Sequence, residues 1–337
     1  MQKKSNPLVK LFHFVLTLLL IIPAVFLLSS ASSAESFPQR PISFMLPGGP
    51  GGGFDTYTRA LARFMPKHLP REVNIVAVNM PGAGGKVCTS YIYRSKPNGY
   101  TIGFFNQPGT VVTELLERNP GYKVREVTWL GTVATVTYVM LVPGSSNIKT
   151  LEDLKKLGRP VKFGSNGFGQ TDFLIDILAS EEMGIPFVMV TGYTGSAAVM
   201  VAALRGDVDA MSYPISSALP NIKSGDLRPI ILLGDKRSDI LPDVPTSTEL
   251  GFPNVANFAS MYRMVGGPPK IPGSIKNVLA GALEKTIKDP EVQAWSKKAN
   301  RPLNFINVDK TNEIADSMFK TFQKYLDTIK KHKEKLN

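Results

Sequence analysis

The sequence predicts a two-lobed α/β protein, a clamshell whose lobes are joined by two interlobe crossings. Three features carry that expectation. Strand and helix signals alternate along most of the chain, several strands end in loops of glycine or amide residues, and apolar stretches near the C-terminus can return to the lobe where the chain began. In a parallel α/β sheet such strand-end loops gather along one edge, which is where ligands bind.

Lys3, Lys4 and Lys10 precede a low-polarity run from Leu11 to Leu28, and Ser32-Ser33-Ala34 offers small residues for cleavage. That pattern reads as a secretory signal peptide over residues 1–34, which directs the mature protein to the periplasm. No cysteine follows the run, so a lipid anchor is not expected. The strand Ile42 to Leu46 then opens into Pro47-Gly48-Gly49-Pro50-Gly51-Gly52-Gly53-Phe54-Asp55, and Tyr57, Ala60, Leu61, Phe64 and Met65 follow at helical spacing. Such a strand, glycine loop and helix can bind an anion with main-chain N–H groups, Asp55 being placed as the helix N-cap; the bland alternative is a flexible turn.

A second strand, Asn74 to Val78, ends in Asn79-Met80-Pro81-Gly82-Ala83-Gly84-Gly85, and a third, Tyr100 to Phe105, ends in Asn106-Gln107-Pro108-Gly109. The β-rich run from Trp129 to Val142 is long enough to leave one lobe and enter another. Val161 to Gly164 opens into Ser165-Asn166-Gly167-Phe168-Gly169-Gln170-Thr171, and the next helix sets Phe173, Leu174, Ile177 and Leu178 on one face with Asp172 and Asp176 apart. Strand Pro186 to Val190 leads to Thr191-Gly192-Tyr193-Thr194-Gly195-Ser196. Phe258 to Val265 can return to the first lobe, and a helix over Thr311 to Lys331 places Ile314, Met318, Phe322, Tyr325 and Ile329 in one stripe packed against that lobe. The expected division is lobe 1 from 35–134 plus 258–337 and lobe 2 from 135–257, with a hinge at the crossings.

Composition narrows the function. With 337 residues, 43% hydrophobic and 20% charged, the chain is neither disordered nor a polytopic membrane protein. Its net charge of +12 falls to +9 without residues 1–34, and lysines crowd the C-terminus at Lys330, Lys331, Lys333 and Lys335, a solvated surface and not a nucleic-acid stripe. Cys88 is the only cysteine, so no intrachain disulfide forms, and it reads as a small buried residue. There is no phosphate-loop motif, no complete dinucleotide fingerprint and no Gly-x-Ser-x-Gly elbow. His68 and His332, the histidines beyond residue 34, read as surface residues, and one Cys with two distant His supplies no usual metal cluster. Main-chain donors without catalytic side chains point to binding and not turnover, with no cofactor and no metal.

The ordered series of loops resembles the periplasmic receptors of tripartite tricarboxylate transporters, the Bug receptors. It rests on Pro50-Gly51-Gly52-Gly53-Phe54-Asp55-Thr56-Tyr57-Thr58-Arg59, Asn79 to Gly85, Lys96-Pro97-Asn98-Gly99-Tyr100-Thr101, Gly192-Tyr193-Thr194-Gly195-Ser196, Leu204-Arg205-Gly206-Asp207-Val208-Asp209 and Leu241-Pro242-Asp243-Val244-Pro245-Thr246. The resemblance implies a type II periplasmic-binding-protein fold, a small organic carboxylate in the interlobe cleft, delivery to integral-membrane transporter subunits, and action as a monomer without nucleic acid. Carried over, the ligand-binding positions are Gly52, Gly53, Phe54 and Asp55; Asn166, Gly167, Phe168, Gly169, Gln170 and Thr171; and Tyr193, Thr194 and Gly195. The expected roles are backbone donation at Gly53 and Gly169, a hydrogen bond from Thr171 and packing by Phe54 and Phe168. Asp55 caps the helix, touches ligand, or both. Many relatives carry His where this chain has Phe173, and Val-Pro-Tyr where it has Thr191-Gly192-Tyr193; both changes are expected at the cleft and leave open which carboxylate is bound. Two other functions stay open, a receptor presenting ligand to a membrane sensor and an exported enzyme using the cleft.

Overall fold

A computed structural model describes residues 37–334, so the signal-peptide expectation lies outside the described residues. Lobe 1 is built on three parallel strands, β1 (Ile42–Leu46), β2 (Ile75–Asn79) and β3 (Thr101–Gln107), in the order β2-β1-β3. Each is followed by a helix: α1 (Gly53–Phe64) after β1, α2 (Lys86–Arg94) after β2 and α3 (Gly109–Leu116) after β3. Parallel pairing therefore sets all three strand C-termini on one edge. The apolar residues of α1 recur at helical spacing, and Tyr57, Ala60, Leu61 and Phe64 are buried while Arg59 faces water.

Strand β4 (Thr128–Pro143) is 16 residues long and belongs to both halves of the molecule. After it come α4 (Leu151–Lys155), β5 (Val161–Gly164), α5 (Thr171–Met183), β6 (Phe187–Val190), α6 (Ser196–Arg205), β7 (Met211–Pro214), α7 (Ile215–Lys223), β8 (Leu227–Leu233) and α8 (Val255–Phe258). Strand β9 (Ser260–Gly267) then returns antiparallel to β3 and to the first part of β4, Thr128 to Thr137, whereas Tyr138 to Pro143 of β4 pair with β7 and β8. The chain thus crosses once outward along β4 and once back into β9. Strands β5 and β6 pair in parallel as a separate two-stranded sheet.

Four helices finish the chain: α9 (Gly273–Lys288), α10 (Pro290–Lys298), α11 (Val308–Lys324) and α12 (Leu326–Glu334). The single helix expected over Thr311 to Lys331 is instead broken at Tyr325, whose ring packs edge-on against Phe258 at 5.2 Å between centroids. Beyond the break, α12 packs against both α5 and the lobe 1 helix α3. There His332, expected at the surface, is 7% exposed: its ring lies on Phe187 and its Nε2 is 2.7 Å from Glu181 Oε1. Asp172 and Asp176, expected apart from the apolar face of α5, are both buried, because β7, α8 and α12 cover the helix on several sides. Among the described residues no helix is long and apolar enough to cross a membrane.

Candidate functional site

The lobes enclose a cleft of about 580 Å3, a volume suited to a small metabolite. A larger open groove, about 1130 Å3, lies on the outside of lobe 1 between Arg40, Lys86 and Tyr100; it has no residue from lobe 2. The interlobe cleft is the better candidate because the first turns of four helices converge on it. Gly52, Gly53 and Phe54 come from α1, Gln170, Thr171 and Asp172 from α5, Gly195 to Ala198 from α6, and Pro214 with Ser217 from α7. A helix start leaves backbone N–H groups without intrahelical partners and carries roughly half a positive charge, so convergence of this kind favours an anion.

Of the residues expected to meet ligand, Gly52, Gly53, Phe54, Asn166, Gln170, Thr171, Tyr193, Thr194 and Gly195 line this cleft. Asp55, Gly167, Phe168 and Gly169 are not part of its lining. Asp55 is also not the N-cap of α1; that position is Gly52, and Asp55 sits three residues further in. Its carboxylate accepts from the Gly51 N–H at 2.9 Å, from Arg59 Nε at 3.0 Å and from Asn79 Nδ2 at 3.0 Å, while the Asn79 amide also donates to the Gly48 carbonyl. Burial pushes the Asp55 carboxyl up, but these hydrogen bonds outweigh it and leave it below the ordinary carboxylate value. These bonds tie the glycine loop to α1 and to the end of β2.

In the second loop, Phe168 packs on Phe173 at 5.6 Å, and Phe173 is fully buried, so this departure from the family pattern falls outside the cleft lining. Gly169 faces lobe 1: a Cβ on Gly84 would stand 2.8 Å, and one on Gly109 2.5 Å, from its carbonyl oxygen. Thr171 Oγ1 donates to Asn106 Oδ1 at 3.1 Å, and Asn106 Nδ2 donates to the Gly84 carbonyl at 2.9 Å. This part of the loop therefore seats one lobe on the other.

Two charged residues line the cleft, Arg263 and Asp172, and neither was singled out as ligand-binding from the sequence. Arg263 is 2% exposed and lies between the rings of Phe54 and Tyr57, 4.7 and 4.4 Å from their centroids. Such stacking contributes about 0.5–2 kcal/mol. Burial pushes the Arg263 guanidinium below its ordinary value. The available signal was its place in an apolar strand: Met261, Arg263 and Val265 alternate inward, so Arg263 shares a face with core residues. Asp172 accepts from the Asn166 N–H at 2.8 Å and the Tyr213 hydroxyl at 3.1 Å; burial raises it above the ordinary carboxylate value. Asp176, one turn on, is raised much further by burial. Cys88 is wholly buried, and burial pushes its thiol up to about 12. His68 Nε2 lies 3.0 Å from Asp289, remote from the cleft lining. Among the described residues no group of three His, Cys, Asp or Glu could hold a metal.

Two α/β lobes, two crossings and a cleft fed by helix N-termini define the class, a two-lobed periplasmic-binding-protein fold. Solved structures agree: the periplasmic binding protein BugD has a TM-score of 0.76 at 24% identity, covering 87% of this chain and 98% of that one. R. palustris Rpa4515 with adipate has a TM-score of 0.77 at 22% identity, covering 87% and 98%. The model of the tripartite tricarboxylate transporter family receptor matches residues 57–320. Protein BugT of Bordetella pertussis is 31% identical over 268 residues, which are 76% of this chain and 81% of BugT. The chain belongs to this receptor family.

Proposed function

We propose that the protein is an extracytoplasmic receptor that captures a small organic carboxylate between its lobes and hands it to the membrane subunits of a tripartite tricarboxylate-type transporter. The observation that carries this reading is the convergence of four helix N-termini, contributed by both lobes, on one cleft. Family membership supports the receptor role, and two fold relatives were solved with small dicarboxylates, MatC of Rhodopseudomonas palustris with bound malate and Rpa4515 with adipate. The ligand-facing set is Gly52, Gly53 and Phe54 in lobe 1 with Asn166, Gln170, Thr171, Tyr193, Thr194 and Gly195 in lobe 2. Residues 1–34 serve as the export signal to the periplasm, and the receptor works as a monomer without catalysis. A thermal-shift screen of mono-, di- and tricarboxylates tests the reading: a selective ligand raises the melting temperature by binding the native state. No shift with any of them, or steady consumption of a bound acid by the purified protein, overturns it.

A further inference from the structure

The cleft contains a cation that the protein does not neutralise. Nε and Nη1 of Arg263 are buried without a hydrogen-bond partner, and among the described residues no carboxylate is bonded to the group. The Tyr57 and Tyr138 hydroxyls favour its charged form, whereas a second cation, Arg301, opposes it. Aromatic stacking by Phe54 and Tyr57 offsets only part of the cost of burying an unpaired guanidinium. Folding alone gives no reason to hold it there, since an unpaired buried charge destabilises. The third nitrogen, Nη2, lies against Gly53: a Cβ at that glycine would stand 2.7 Å from it. The side chain thus reaches the lobe 1 loop that opens onto the cleft, and its planar fork suits a carboxylate.

The second charge in the lining has the opposite sign and comes from the opposite lobe. Asp172 stands in the first turn of α5, 3% exposed, with one oxygen taking the Asn166 N–H and the Tyr213 hydroxyl. Among the described residues no cation is paired with it. Phe54, Tyr138, Tyr193 and Met261 line the same cleft and offer apolar surface to a carbon body.

We propose that Arg263 pairs with the ligand's carboxylate and that Asp172, on the facing lobe, selects against a second one, so that the receptor takes acids bearing a single carboxylate. This rests on the receptor reading above and gives it a ligand class. Discrimination of this kind works by repulsion: the wrong ligand is rejected because its second charge meets a like charge out of water.

Matched acids of equal chain length provide the test. Calorimetric titration of the purified protein with butanoate against succinate, hexanoate against adipate, and benzoate is expected to show the monocarboxylate of the fitting pair binding about 10-fold or more tighter than its dicarboxylate. Arg263→Gln should weaken the best acid by about 100-fold, with Arg263→Lys intermediate because it keeps the charge and loses the fork. Ligand-free Arg263→Gln should melt no lower than the parent, as removal of an unpaired buried charge predicts; a merely structural arginine would give the opposite. Asp172→Asn should bring the two members of the fitting pair within about 3-fold of each other. Unchanged affinity in both Arg263 variants removes the arginine from the site. A dicarboxylate bound more tightly than its partner by the parent protein places the second carboxylate on N–H groups elsewhere in the cleft and overturns the selection by Asp172. Binding of an acid with no effect of Arg263 sinks this inference alone; absence of binding by these acids and by every mono-, di- and tricarboxylate of the thermal-shift screen sinks the receptor reading with it.

Discussion

Loop Pro47 to Gly52 of lobe 1 and loop Ser165 to Gln170 of lobe 2 both carry a strand into a helix through closely spaced glycines, and both tie an aspartate of the helix back to a loop N–H. Their surroundings differ. In the first, Gly53 gives up its side chain so that Arg263 can approach; in the second, Gly169 abuts Gly84 and Gly109 of the other lobe, backbone to backbone. Asp55 is offset by Arg59, whereas Asp172 has no cation beside it and is buried at the cleft wall. One pattern therefore has two settings, a buried arginine against the glycine of lobe 1 and a backbone contact between lobes at the glycine of lobe 2.

Substitutions at the glycines should separate these roles. The largest expected loss is at the lobe contact: Gly109→Val sets a Cβ 2.5 Å from the Gly169 carbonyl and 2.9 Å from Asn106 Nδ2. Neither backbone can easily yield, so denaturant unfolding should show a loss of about 3 kcal/mol. Thr171→Val deletes the hydrogen bond to Asn106 and leaves a buried acceptor unpaired, for about 1–2 kcal/mol by the same measurement. Gly53→Ala sets a Cβ 2.7 Å from Nη2 of the stacked Arg263, which must shift but is a side chain and not backbone, so stability should fall by about 1 kcal/mol while calorimetry shows ligand affinity falling about 10-fold. A stability loss at Gly53 as large as that at Gly109 would erase the distinction between the loops.

The smallest effect is in pH, and its sign differs between the loops. The Asp55 carboxyl is held below its ordinary value, so its contribution is present above an unfolded pKa near 3.9 and is lost as pH falls through the lower folded value. Asp172 is raised by burial, so its folded state binds the proton more tightly and stability drops as pH climbs through its carboxylate range. Melting curves between pH 3 and 7 should therefore show Asp55→Asn losing its deficit at the acid end, by less than about 1 kcal/mol because Arg59 is half exposed. Asp172→Asn should show its gain at the neutral end. Parallel curves for both variants would refute the assignment.

The fold was legible because its signals are local. Alternating strands and helices, each junction marked by glycine, identify two α/β lobes, and the long apolar run that became β4 announces a crossing. Nine of the thirteen expected ligand residues line the cleft because strand ends and helix starts share one edge. What stayed hidden depends on tertiary contact. The stripe from Ile314 to Ile329 continues through Tyr325, so only the packing of Tyr325 on Phe258 reveals the break. Lysines flanking His332 suggest water on all sides, yet Phe187 and Glu181 cover the imidazole. Asp172 and Asp176 look outward by polarity and are buried because they face β7, with the Tyr213 hydroxyl on Asp172 and Ser212 beside Asp176.

Hydrogen exchange on the purified protein, with and without the best acid from the thermal-shift screen, tests most directly whether the anion sits between the lobes. Slower exchange is expected together at the amides of Gly52 to Asp55 in lobe 1 and Thr194 to Ala198 in lobe 2. Protection confined to one lobe, or appearing instead around Lys86 and Tyr91 in the outer groove, would contradict the account.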